Sequence, residues 1–120
     1  MGGVLYHANY FHLYEELREA FFYSVNYPYS RLVDEHRHLA IVETHQRFIR
    51  PIHYGQTVHA TLMSSAIKKS SFILNYSFSL NKKTIHTAQT RHALVRIDPK
   101  GITSERLPIA FQEHLLSIAK

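Results

Sequence analysis

A chain of 120 residues accommodates one compact domain and leaves no room for a second core. Hydrophobic residues make up 45% and charged residues 19%, which excludes disorder; the lack of cysteine excludes disulfides, thiolate metal sites and a cysteine nucleophile. Lysine and arginine outnumber aspartate and glutamate by 14 to 9, a balance that suits either an anionic partner or simple solubility.

The first ten residues lack the basic start and apolar run of a secretory signal, and no apolar stretch nears the roughly 20 residues that span a bilayer. A soluble, cytoplasmic protein with no membrane partner is the expectation. Residues 9–25 then carry a helical stripe of Tyr10, Leu13, Tyr14, Leu17, Phe21 and Val25, with His12, Glu15, Glu16, Glu19 and Tyr23 on the opposite side. Asn9 reads as the N-cap, and Asn26-Tyr27-Pro28 as the break. The spacing predicts strand for everything from His38 to Asp98. Phe72, Leu74, Tyr76, Phe78 and Leu80 alternate with Ser71, Ile73, Asn75, Ser77 and Ser79, and 57–68 and 83–97 are rich in Val, Ile and Thr. The connectors at 51–56, 69–70 and 81–82 are too short for parallel crossovers, so the strands are antiparallel neighbours. Pro99-Lys100-Gly101 is a turn, and 109–119 a closing helix with Phe111, Leu115 and Ile118 on one side. One domain over 1–120, of class α+β with an antiparallel sheet, is predicted.

The segment Gly2-Gly3-Val4-Leu5-Tyr6-His7-Ala8-Asn9-Tyr10 resembles the signature of the hot-dog-fold acyl-CoA thioesterases, in the branch of the 4-hydroxybenzoyl-CoA and Tol–Pal-associated enzymes. The family pattern is Asp, one variable residue, Gly-Gly-Val-Val-Tyr-His-Ala-x-Tyr, then a long helix. Arg50-Pro51-Ile52-His53-Tyr54-Gly55-Gln56 resembles the family's Pro-x-x-x-Gly-Asp turn, and Val95 to Pro99 and Leu107-Pro108 match its last strand and tail. The resemblance implies a hot-dog fold, a curved antiparallel sheet wrapped around a long central helix. It implies a homodimer with active sites at the subunit interface, and a homotetramer as its further assembly. The implied reaction is hydrolysis of an acyl-CoA or aroyl-CoA to free acid and coenzyme A, which enters only as part of the substrate; no other cofactor is expected. Tyr6, Tyr10 and Phe11 suit an aromatic acyl group and core packing equally.

By the same resemblance, the catalytic segment comprises Gly3, Tyr6, His7 and Asn9. The His7 amide is the candidate donor to the thioester oxyanion, at a helix start where orphan amides and the dipole favour negative charge. The family's reactive Asp would stand immediately before Met1, and its first strand would precede that Asp; a late start site or a truncation is the expected reason. Glu15 and Glu16 read from the residues alone as solvated, yet they match a second hot-dog branch that uses a helical Glu from the partner. A catalytically inactive module that binds acyl-CoA or a protein is the alternative. Lys68, Lys69, Ser70 and Ser71 are candidates for coenzyme A phosphate contacts, or else form a solvated hairpin. Arg91 and His92 lie inside a strand, where pairing roles compete.

Ten histidines raise the question of a metal, but no His-Glu-x-x-His occurs and no pair sits four apart on a helix; His36 with His38, and His86 with His92, are the pairs that could converge. No metal is expected. There is no Gly-x-Ser-x-Gly elbow. The scattered basic residues and missing aromatic–glycine strand motif argue against a nucleic-acid partner.

Overall fold

The computed structural model describes residues 7–53 and 55–119, the side chains of 7–9 excepted. Helix α1 runs His7–Ser24, and a single turn, α2, spans Tyr29–Leu32. Five strands follow: β1 Arg37–Phe48, β2 His59–Ser65, β3 Ser71–Leu80, β4 Lys83–Asp98 and β5 Gly101–Ser104; α3 is Ile109–Ser117. The sheet is antiparallel in the order β1-β4-β3-β2, and β5 pairs with the end of β4. This is the α+β architecture of the sequence reading, with a curved sheet against one long helix.

Alternation decides which face of the sheet meets the helix. Phe72, Leu74, Tyr76 and Phe78 of β3 are buried, as are His86, Ala88, Thr90, His92 and Leu94 of β4. From α1 they meet Tyr10, Tyr14, Phe21 and Phe22. Phe22 lies outside the expected stripe; its ring packs on Phe111 of α3, 5.4 Å between centroids. The helix also begins earlier than predicted, so Asn9 is its third residue and not its N-cap. Among the described residues α1 is already helical at His7, and Asn9 follows with helical backbone.

Three backbone features fix the register. Between Ile41 and Glu43 the β1–β4 pairing shifts by one residue, which makes Val42 a bulge. A second shift beside Phe78 leaves Ile85 extra on β4, and its carbonyl accepts from both Ile49 N and Arg50 N at 3.0 Å. The β3–β4 turn has Asn81 at φ 52° and Lys82 at φ 67°, the paired left-handed geometry that matches strand twist. Strand β2 ends sooner than predicted, because Ala66 adopts φ 47°. On its outer side, Ser64 N donates to Ile118 O at 3.0 Å and the Ser64 hydroxyl donates to Leu115 O, tying the α3 segment to that edge.

Candidate active site

The start of α1 is clamped to the sheet by rings. Tyr10, in the first turn, stacks on His86 with centroids 3.7 Å apart and planes at 17°. Phe48 and Phe78 meet the same Tyr10 ring edge-on, at 5.6 and 5.7 Å. One turn on, the Tyr14 hydroxyl hydrogen-bonds His86 Nε2. Burial, then the neighbouring Tyr10 and Tyr76, push the Tyr14 phenol well above its ordinary range, so it stays protonated. The helix end that carries orphan amides is thereby held at one end of the sheet, where β1 finishes and β4 begins.

A second polar chain crosses the core. Arg18 Nη1 donates to the Tyr76 hydroxyl at 3.0 Å, Tyr76 Oη lies 2.7 Å from Thr90 Oγ1, and Thr90 Oγ1 lies 2.7 Å from His92 Nε2. Only the first bond has a fixed direction, since a guanidinium only donates; the Tyr76–Thr90 and Thr90–His92 bonds run according to the His92 tautomer. Burial, reinforced by the Arg18 charge, lowers the His92 pKa to about 3, so the imidazole is neutral.

His92 and Arg18 face a cleft of about 280 Å³ between α1 and β1, lined also by Glu15, Glu19, Phe22 and Ile41. Glu15 thus belongs to this cleft, whereas Glu16 is exposed elsewhere on the helix. A larger groove, about 580 Å³, lies on the sheet's other face and includes His45, Arg47, Met63, Asn75 and Gln89.

Among the expected site residues, Gly3 and Tyr6 lie outside the described residues. His7 and Asn9 contribute backbone to the first turn of α1, and their side chains lie outside the description. Lys68, Lys69 and Ser70 lie in the β2–β3 connection and Ser71 opens β3, with both lysines exposed. Its carbonyls are taken by the C-terminal half of the chain: Leu94 N donates to Ser70 O at 2.9 Å, Leu107 N to Lys69 O at 2.7 Å, and Gln112 Nε2 to Lys68 O at 2.9 Å. This turn and the α1 start occupy opposite ends of β3, about 30 Å apart at the usual strand rise. One protomer does not bring them together. Arg91 and His92 part company as well. Arg91 pairs with Glu43 of β1 at 3.1 Å on the outer face, while His92 turns inward.

His86 and His92 share the inner face yet join separate networks, and among the described residues no three His, Asp or Glu side chains gather as a metal would require. Sequence reasoning missed Tyr14, Arg18, Tyr76 and Thr90 as polar partners. The parity of β4 held the signal, because 86, 88, 90, 92 and 94 must all face one way. No described helix is long and apolar enough to cross a membrane.

Known proteins resemble this chain in sequence and in fold. A provisionally named esterase of Synechocystis sp. (strain ATCC 27184 / PCC 6803 / Kazusa) is 30% identical over 118 residues, 98% of this chain and 71% of that protein. A 1,4-dihydroxy-2-naphthoyl-CoA hydrolase of Prochlorococcus marinus (strain NATL1A) is 31% identical over 77 residues, 64% of this chain and 49% of that protein. Among solved structures, a 1,4-dihydroxy-2-naphthoyl-CoA thioesterase from Synechocystis superposes with a TM-score of 0.85 at 19% identity, covering 97% of this chain and 85% of that one. The sequence profile of the thioesterase-like superfamily matches residues 1–117, and the chain belongs to that superfamily.

Proposed function

We propose that this protein hydrolyses an acyl-CoA or aroyl-CoA thioester to the free acid and coenzyme A. The observation that carries the reading is the superfamily match over residues 1–117, which supports thioester hydrolysis as the reaction class. Water supplies the oxygen that attacks the carbonyl carbon; the carbon–sulfur bond breaks and the thiolate leaves with a proton. Charge grows on the carbonyl oxygen meanwhile, and the amide of His7, the first described residue of α1, is the candidate donor to it. The naphthoyl-CoA and gentisyl-CoA named for similar proteins make an aromatic acyl group the first to try.

The proposal includes a cytoplasmic homodimer, able to pair further into a tetramer. Strand β1 is the terminal strand of the sheet, and Ile41, Val42, Phe48 and Ile49 along it are 42–53% exposed. Two copies joined along β1 would bring the Glu15–His92 cleft to the interface. The test is a panel of aliphatic and aromatic CoA thioesters, followed by thiol release. It is run on the chain itself and on the product of the reading frame extended upstream of Met1. Release from at least one thioester, rising in proportion to protein, is expected. No release by either form, with coenzyme A still bound, points to the inactive binding module and sinks the hydrolase.

A further inference from the structure

A single imidazole holds two successive turns of α1. Tyr10 lies face to face on His86, and Tyr14, one turn further along, bonds Nε2 of the same ring. His86 is itself fully buried and fixed from both sides. Phe48 and Phe78 are its cross-strand partners on β1 and β3, with ring centroids 4.6 and 5.7 Å away. The extra residue Ile85 just before it sets the parity that turns His86 toward the helix. Ile85 O in turn accepts from Ile49 N and Arg50 N, which fastens the end of β1 to the same point.

Packing alone does not ask for a histidine here. A phenylalanine or leucine would fill this aromatic-lined place without the cost of burying polar nitrogens. What the imidazole adds is two different contacts, four residues apart on the helix. The flat stack at 3.7 Å opposes lifting and tilting of the first turn. The Tyr14 bond opposes sliding, since a shift of one residue rise, about 1.5 Å, breaks a hydrogen bond. The Tyr10 hydroxyl has no hydrogen-bond partner among the described residues, so ring contacts are what hold Tyr10. His92 is the internal comparison. It is equally buried on the same sheet face, yet its hydrogen-bonded chain reaches α1 only at Arg18, about three turns past His7.

We propose that His86 is the positioning residue for the α1 start: it fixes where the His7 amide stands. The consequence for catalysis rests on the hydrolase reading above; the hold on the helix does not. A donor to a developing oxyanion must stand about 2.7–3.1 Å from the oxygen, and a misplacement of about 1 Å can cost on the order of a hundredfold in rate. The loss falls on kcat, because the charge that the amide meets develops only in the transition state.

Two substitutions separate the contacts. His86→Phe keeps a flat ring under Tyr10 and removes the partner of Tyr14, and His86→Leu removes both. On a CoA thioester that the wild type cleaves, well below the unfolding midpoint of each variant, kcat is expected to fall about tenfold in the first and further in the second. KM should stay within about twofold. Phe111→Leu, which opens the core beside α3, should leave kcat within about twofold of wild type. The decisive background is His7→Pro, which lacks the amide. Adding His86→Leu to it should lower kcat by less than about twofold, whereas an unrelated structural loss multiplies. Where His86→Leu does not fold, His86→Phe takes its place. Full multiplication, or a Phe111→Leu loss equal to that of His86→Leu, overturns the proposal and leaves the hydrolase standing. If His7→Pro keeps the wild-type kcat, or no thioester is cleaved, the amide or the hydrolase reading fails and hydrogen exchange decides on His86 alone. The amides of Phe11 to Leu17 bond carbonyls of the first two turns of α1. In His86→Leu they should exchange at least about tenfold faster, with the α3 amides within about twofold. Unchanged exchange there overturns the hold on the helix.

Discussion

Tyr10 and Tyr14 sit four residues apart on one helix face and are both buried, but their hydroxyls meet different fates. Tyr14 bonds His86, whereas the Tyr10 hydroxyl has no hydrogen-bond partner among the described residues. Tyr14→Phe should therefore cost about 1–3 kcal/mol in urea unfolding, and Tyr10→Phe should be neutral or stabilise by up to about 1 kcal/mol. Equal effects would contradict the assignment. His92 imposes a pH dependence. Its folded pKa of about 3 lies below the ordinary 6.5, so between those values only the unfolded chain takes up the proton. Its contribution is complete above pH 6.5 and is lost as pH falls toward 3, at a slope of up to about 1.4 kcal/mol per unit. Unfolding of His92→Gln, measured from pH 7 to 4, should show a shallower loss than wild type. For catalysis, position 7 offers a clean separation, since proline is tolerated at the first helical residue but has no N–H. His7→Pro should keep the far-ultraviolet helix signal and lower kcat by about a hundredfold or more, while His7→Ala, which retains the amide, should lose much less.

Among the elements, those with a buried face were legible in the sequence. The 72–80 alternation is the inner face of β3, and the Tyr10, Tyr14 and Phe21 spacing is the packed side of α1. The pieces that escaped prediction have no such contrast. All four residues of β5 are exposed, and α2 is a single turn with only Leu32 buried. Phe22 escaped for a different reason: α3, far along the chain, covers it, and helical periodicity cannot register a second packing partner. The site was legible only in part. The helix start was found through its motif, but the polar chain from Arg18 to His92 needs two strands and a helix in register, which spacing alone does not supply. Lys82 is a local misfit, because a lysine at φ 67° carries a steric strain that glycine does not. Lys82→Gly should raise the unfolding free energy by about 1 kcal/mol, read from the urea midpoint.

For the whole molecule, the proposed pairing along β1 makes a prediction about mass. Sedimentation equilibrium should give a dimer, and Ile49→Glu, at a 45% exposed site just past β1, should weaken it more than tenfold. A monomer at all accessible concentrations would remove the partner from the site. The bulge at Val42 also reaches beyond its own neighbourhood. Upstream of it the odd-numbered Leu39 and Ile41 oppose inward-facing β4 residues; downstream the even-numbered Thr44, Gln46 and Phe48 do. One supernumerary residue thus rephases the second half of the strand. Substituting Val42 should be tolerated, but excising it would rotate Phe48 off the Tyr10 ring and drive Arg47 into the barrier of aromatic rings beneath the helix start. Insertions and deletions in this strand would be purged where point changes survive.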